Sequence, residues 1–346
     1  MKRVIFTTVQ DNLEVRKMLE LALKSFYAFN SGFDFKVYCL DNSKDKFKEY
    51  FDKFKFENLE FINFKDGTKW NNYLEHLKND ELTDLERKNM YVSNPEFYAF
   101  DTSVCISKLE IIDLLLEKYD VVIATDIDVV FGNSIERSLK VFLQSGFFLG
   151  ADDEWAPGGT MSFSAGFMYF NKDAKDRIFN LMDKALYSLT YEDLREIPKF
   201  NKISSGGYKF NFNFFEQDLL DYFIEDYFRL NELVMTTSMK FDLDKVYDVY
   251  HFACTFSKPF YEFNKENVNF ENNFVLPIRN FYSNLFKLFD VDIDFNNKPT
   301  KFTTSAIAIN RCYNMKLQII KSNYERALIT IHKWKYLLRV KKIKNF

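Results

Sequence analysis

From Val4 to Phe170 short β-branched and aromatic runs alternate with longer stretches of helical period. A chain with that alternation folds as a mostly parallel sheet flanked by helices. Val4 to Thr8 reads as a buried first strand, Val15, Leu19, Leu23, Phe26 and Tyr27 recur at helical spacing between Leu13 and Phe29, and Phe35 to Leu40 returns as a strand. That is one βαβ unit. Leu59 to Phe64 predicts a third strand, whereas residues 65 to 94 carry no clear pattern. Asp101 to Glu117 predicts a helix, capped by Asp101, Thr102 or Ser103, with Val104, Leu109, Ile112, Leu115 and Leu116 on its apolar face. Asp120 to Thr125 follows as an apolar strand of the kind buried on both faces. A helix is then expected over Ser134 to Leu143, strands over Phe147 to Gly150 and Phe163 to Phe170, and helices over Asp173 to Leu186 and Gln217 to Ile224, with a polar turn at Pro157-Gly158-Gly159.

The chain of 346 residues is 47% hydrophobic, enough for a large core. Its Lys and Arg number 47 against 50 acids, a net charge of −3 that excludes a wholly basic nucleic-acid binder. The 41 Phe accompany many Lys and Asn, a codon-bias signature that carries no functional weight. Cys39, Cys105, Cys254 and Cys312 lie far apart, without the close pairs of zinc or redox motifs, which fits a reducing cytoplasm. The apolar stretch after Met1-Lys2-Arg3 is too short for a signal peptide, and no run approaches a membrane span, so a protein kept inside the cell is expected. The near-neutral total conceals an asymmetry. Residues 301 to 346 hold eleven basic residues against Glu325 alone, a net of +10, which leaves −13 for residues 1 to 300.

Chemistry concentrates at Val121-Val122-Ile123-Ala124-Thr125-Asp126-Ile127-Asp128. Carboxylates at i and i+2 off the end of a strand share one side of the backbone, and the carboxyl ends of strands are where open α/β sheets bind ligands. Such a pair can hold a hard divalent cation and leave positions open for phosphate oxygens. Two catalytic readings are open here. In one, the pair grips a cation bound to the diphosphate of a sugar nucleotide. In the other, Asp126 is the nucleophile and Asp128 the acid/base of a Mg2+-dependent phosphohydrolase of the haloacid-dehalogenase kind, although only 23 residues separate Asp128 from Asp152, the start of the next acidic pair. A second window, Val249-Tyr250-His251-Phe252-Ala253-Cys254-Thr255-Phe256-Ser257-Lys258-Pro259, offers His251 as a third ligand and Lys258 for a phosphate.

Asp126-Ile127-Asp128, the Phe163-Ser164-Ala165-Gly166-Phe167-Met168 strand, Glu216-Gln217-Asp218 and the His251 to Pro259 block occur in an order that resembles the family-eight glycosyltransferases of GT-A fold, which include bacterial galactosyl- and glucosyltransferases of lipopolysaccharide and lipooligosaccharide assembly. The resemblance runs from the first strand to about residue 260. It implies a Rossmann-like, nucleotide-sugar-binding mixed sheet flanked by helices, over residues 1 to 270, and retention of anomeric configuration. It also implies Mn2+, or Mg2+, on Asp126, Asp128 and His251, and a phosphate contact from Lys258. Cys254 stands where the family has glycine, and Ser164 where it has asparagine, beside Ala165, at the donor sugar. Glu216 and Gln217 fall where the family places an acid and a glutamine next to the anomeric carbon. Lys108 falls at a donor-contacting arginine, and Asp152, Asp153 or Glu154 at a sugar-contacting acid. Thr7, Thr8, Asp11 and Asn12 end the first strand at the place of the nucleoside. A UDP-sugar donor and a glycan or glycolipid acceptor follow.

Residues 271 to 346 read as a helical, basic and aromatic extension. Ile320, Tyr324, Leu328, Ile331, Trp334 and Leu338 form one stripe with Lys and Arg around it. That pattern suits an anionic membrane surface, and would set the protein at the inner face of the membrane. The non-enzymatic alternative, suggested by Ser164 and Cys254, is a protein that binds a nucleotide sugar without turning it over.

Overall fold

The structure is a computed structural model and describes residues 1–64, 102–155, 161–186, 220, 223–224, 226–236, 245–252, 261–262, 275–293 and 300–301. In chain order its elements are β1 (Arg3–Val9), α1 (Leu13–Phe29), β2 (Asp34–Cys39), α2 (Lys44–Phe51), β3 (Leu59–Asn63), α3 (Thr102–Leu116), β4 (Val121–Thr125) and β5 (Val129–Phe131). There follow α4 (Glu136–Gln144), β6 (Leu149–Trp155), β7 (Met161–Asn171), α5 (Asn180–Leu186), β8 (Phe228–Arg229), β9 (Val234–Thr236), β10 (Val249–His251), β11 (Tyr261–Glu262), α6 (Val275–Leu288) and β12 (Thr300–Lys301). The chain packs as two units. One comprises Met1–Asp11, Phe33–Asp126 and Leu139–Asn231, and the other Asn12–Gly32, Ile127–Ser138 and Glu232–Phe346.

The first unit is built on a seven-stranded sheet in the order β3-β2-β1-β4-β7-β6-β8. The four strands β3, β2, β1 and β4 are mutually parallel, as the alternation of strand and helix predicts. β7 then enters antiparallel between β4 and β6, while β8 runs parallel to β6. The sheet is therefore mixed. β6 and β7 are separated by residues 156 to 160 only, too few for the helical crossover that a parallel pair would need. All five residues of β4 are buried, with β1 on one side and β7 on the other. On one face of the sheet Val4, Phe6, Val122, Ala124, Met168 and Phe170 meet Leu109, Ile112, Leu115 and Leu116 of α3. Burial of each of these side chains larger than alanine stabilises the fold by roughly 1.5–3 kcal/mol.

Differences from the sequence expectation have local causes. α2 buries only Phe47 and Phe51, so it shows little helical period, yet these rings stack with Phe61 of β3. The helix expected from Asp173 begins instead as a π-turn at Lys175–Phe179, where Lys175 Nζ reaches Asp113 Oδ1 of α3 at 2.6 Å. β6 runs on past Gly150 through the acidic residues, with a bulge between Ala151 and Asp153. The Asp153 carboxylate accepts hydrogen bonds from Tyr227 and Asn231, and its N–H donates to Asn231 Oδ1 at 3.0 Å, which ties β6 to the residues around β8. Cys39 is a buried free thiol whose pKa burial pushes up to about 12. The expected helix over Gln217 to Ile224 lies mostly outside the described residues, and the C-terminal basic stripe wholly so.

In the second unit β5 and β9 flank β10, antiparallel and parallel respectively. α1 begins at Asn12, whose Oδ1 accepts from Val15 N at 2.7 Å, a helix cap worth about 1 kcal/mol. The Ser25 hydroxyl on α1 accepts from Phe131 N at 3.1 Å, and Phe26 meets the Phe131 ring edge-on at 5.1 Å, so β5 is fastened to this helix.

Gly150 offers a test of the sheet's packing. A Cβ there would lie 2.8 Å from Cδ2 of Phe142, a buried ring stacked on Tyr169. Gly150→Ala should cost about 1–3 kcal/mol in a denaturant titration. An unchanged midpoint would show that Phe142 gives way freely.

Candidate metal and donor site

The aspartates of the apolar-strand motif do not continue β4. Thr125 ends the strand, and Ile127 and Asp128 form a turn before β5 begins at Val129. Their convergence comes from this turn, not from the strand pleat that the i, i+2 spacing suggested. Two main-chain hydrogen bonds define the turn. Asp126 N donates to Gly166 O of β7 at 2.8 Å, and Phe252 N donates to Asp128 O at 2.9 Å, extending the pairing in which His251 lies opposite Val129.

Asp126, Asp128 and His251 each offer one ligand atom, and the three atoms lie within 4.8 Å of one another. Asp128 Oδ1 and His251 Nε2 are 3.6 Å apart, too far for a hydrogen bond and both nearly buried. Ligands about 2.1 Å from one ion stand about 3–4 Å apart, so this separation suits a shared cation. Two carboxylates and an imidazole form a mixed oxygen and nitrogen set that Mn2+ accepts, and Mg2+ accepts its oxygen part. The residues fit the group that the sequence implied.

Lys108 is the cation already at this place. Its ammonium lies 2.6 Å from Asp126 Oδ1 and 3.1 Å from the Ala165 carbonyl, with the lysine side chain 4% exposed and that of Asp126 37%. It is therefore not a solvated helix lysine. One oxygen of Asp126 is engaged by Lys108, and the side chain as a whole stays partly exposed. Ser164 and Ala165 enter through the backbone geometry of β7: Ala165 O receives Lys108, Gly166 O receives Asp126 N, and the buried Ser164 hydroxyl accepts from Gly166 N at 3.4 Å. Sequence reading missed this carbonyl role, which leaves no side-chain signature.

At the end of β1, Thr7 is buried and Thr8 half-buried. Asp11 N donates to Asp41 Oδ2 at 2.6 Å, and its carboxylate lies 3.3 Å from Lys46 Nζ. Asp41 also takes the Ser43 hydroxyl, so the first strand's end is braced by the loop after β2, a partner absent from the sequence reading. Asn12 spends its Oδ1 on the α1 cap. Of the three acids after the fifth expected strand, Asp153 is engaged by Tyr227 and Asn231, and Asp152 is 1% exposed. Glu216, Gln217, Cys254 and Lys258 lie outside the described residues.

No protein-family model matches the chain, and no curated protein matches it by sequence. Solved structures do match in fold. Mouse xyloside xylosyltransferase 1, in its apo form, aligns with a TM-score of 0.50 at 11% identity over 73% of this chain and 98% of its own. The galactosyltransferase LgtC, solved with donor and acceptor sugar analogs, aligns at 0.46 and 15% identity over 74% and 89%. The glycosyltransferase GlyE of Streptococcus pneumoniae aligns at 0.42 and 14% identity over 75% and 56%. The mixed sheet and the xylosyltransferase alignment give the chain the α/β fold of GT-A glycosyltransferases, as the resemblance implied.

The ion pair at Lys108 can be weighed directly. Lys108→Met removes a buried charged hydrogen bond to Asp126, and should lower the unfolding free energy by about 1–3 kcal/mol. Wild-type stability in chemical denaturation would show that this pair adds nothing to the net stability.

Proposed function

We propose that this protein is a metal-dependent hexosyltransferase that moves a sugar from a UDP-hexose to a bacterial surface glycan such as lipooligosaccharide, with retention of configuration. The observation that carries the reading is the convergence of Asp126, Asp128 and His251 within 4.8 Å on a GT-A fold. These three residues would hold Mn2+, or Mg2+ in its place. When bound, the cation supplies positive charge to the donor diphosphate, which becomes the leaving group.

The remaining work falls to side chains. Lys108 holds Asp126 in one orientation and adds a fixed cation near the site, preorganised before charge develops. Lys258, from the resemblance, would meet a phosphate. Glu216 and Gln217, on the same ground, would stand beside the anomeric carbon, where a carboxylate or amide oxygen stabilises an oxocarbenium-like transition state. Thr7, Thr8, Asp11 and Asn12 would border the nucleoside, and Ser164 and Ala165 the donor sugar. Replacement of a family asparagine by Ser164 shortens that contact and is expected to alter the choice of sugar.

The basic segment from Lys301 to Phe346 supports an acceptor at a membrane. Its +10 charge and its Tyr and Trp residues suit the headgroup region of anionic lipid at the cytoplasmic face. No described helix is long and apolar enough to cross a membrane.

Two measurements test these readings. With a panel of UDP-hexoses and Mn2+, Asp128→Asn should lower sugar transfer more than about a hundredfold, and EDTA should abolish it reversibly. Full activity after EDTA would remove the metal role. Phosphate release without any acceptor would favour the phosphohydrolase reading, and donor binding without turnover a non-catalytic one. Separately, the full chain should sediment with vesicles containing anionic lipid and lose that binding when truncated after residue 300. Undiminished binding by the truncated chain would end the proposed role of the tail.

A further inference from the structure

β10 presents two different faces. Val249 and His251 lie on one side of the strand, and Tyr250 on the other, with Phe252 next in the alternation. The aromatic side meets α6. Phe252 stacks flat on Tyr282, with centroids 4.0 Å apart and planes at 8°, and Phe281 lies 5.7 Å from Tyr250 and 5.9 Å from Phe252. All four rings are at most 1% exposed. The far end of α6 is held independently, since Lys24 of α1 donates to the carbonyl of Asp290 at 2.9 Å.

Phe252 thereby carries two constraints at once. Its ring is clamped by Tyr282, and its N–H holds the carbonyl of Asp128 at 2.9 Å. Its chain neighbour is His251. Asp128 Oδ1 and His251 Nε2 stand 3.6 Å apart, and the backbone that carries both residues contributes to that separation.

We propose that α6 is the positioning element of the cation site, and that Tyr282, acting through the Phe252 ring, keeps Asp128 and His251 at the separation that a divalent cation needs. Tyr282 is not among the three residues that offer ligand atoms, so it is a positioning residue. The inference rests on the metal reading above and goes beyond it. It assigns part of the site's metal affinity to a helix that supplies no ligand.

Mn2+ titration of the full-length, metal-free chain, followed by electron paramagnetic resonance of the free ion without nucleotide, tests this without any assay of activity. Tyr282→Leu keeps an apolar side chain but loses the planar stack, and should weaken Mn2+ binding about tenfold. Tyr282→Phe keeps the stack and should bind as wild type. Phe51→Leu, in the aromatic cluster of α2 and β3, serves as a control that loses ring packing elsewhere and should leave Mn2+ affinity unchanged. Wild-type affinity in Tyr282→Leu would overturn the proposal alone, as would equal weakening in Phe51→Leu. Absence of Mn2+ binding by the wild type would overturn the metal reading with it. Should the leucine variant not fold, hydrogen exchange on the wild type decides. Mn2+ should slow the Phe252 amide and the α6 amides more than those of β2 and β3, and uniform slowing would overturn the proposal.

Discussion

Two backbone hydrogen bonds, from Asp126 N to Gly166 O and from Phe252 N to Asp128 O, set the short turn on which the candidate chemistry depends. A turn of this length has few internal bonds, and its shape is dictated by what grips its ends. β7 grips one end because it enters the sheet antiparallel to β4, with Thr125 opposite Phe167. β10 grips the other because it pairs with β5. The mixed sheet is thus more than a variation on a parallel one. A parallel neighbour in the place of β7 would aim a different set of carbonyls at this turn, and Gly166 O would not receive Asp126 N nor Ala165 O receive Lys108.

Charge is managed at the same turn by a buried lysine. Burial of an ammonium is costly without a partner, and Lys108 has a carboxylate and a carbonyl within hydrogen-bonding reach. Two aspartates close together repel, and the lysine offsets that repulsion on the Asp126 side while His251 lies by Asp128. The acidic body and the local cation beside Asp126, the more exposed of the two aspartates in the turn, therefore belong to different scales. The net −13 of residues 1 to 300 says nothing of the neutralisation built in at Asp126.

Much of this was legible in the residues. Long, strongly periodic or wholly apolar segments, such as α1, α3 and β4, were placed within one or two residues, because their burial pattern repeats often enough to be seen. The three candidate ligands were legible for another reason: an Asp-x-Asp at the end of an apolar strand and a scarce histidine after another are chemically conspicuous. What escaped was set by tertiary contact. β8, β9 and β10 are two or three residues long, too short for any period, and exist because a neighbouring strand pairs with them. Lys108 looks solvated in a helical pattern until the sheet beneath α3 brings Asp126 to it. Asn12 reads as the residue after a strand, and its Oδ1 is seen to cap α1 only once that helix is built. Acidic residues 152 and 153 look like a loop until a bulge carries β6 through them.

The alternation along β10 has a consequence for how faithfully the protein must fold. Aromatic rings belong on one face of this strand and the imidazole on the other, and the side-chain period is two. A slip of β10 by a single residue against β5 would drive His251 into the apolar packing of α6 and turn a bulky ring toward Asp128. The cost of burying an imidazole among Phe281, Tyr282 and their neighbours therefore favours the register in which the ring face and the ligand face are both served.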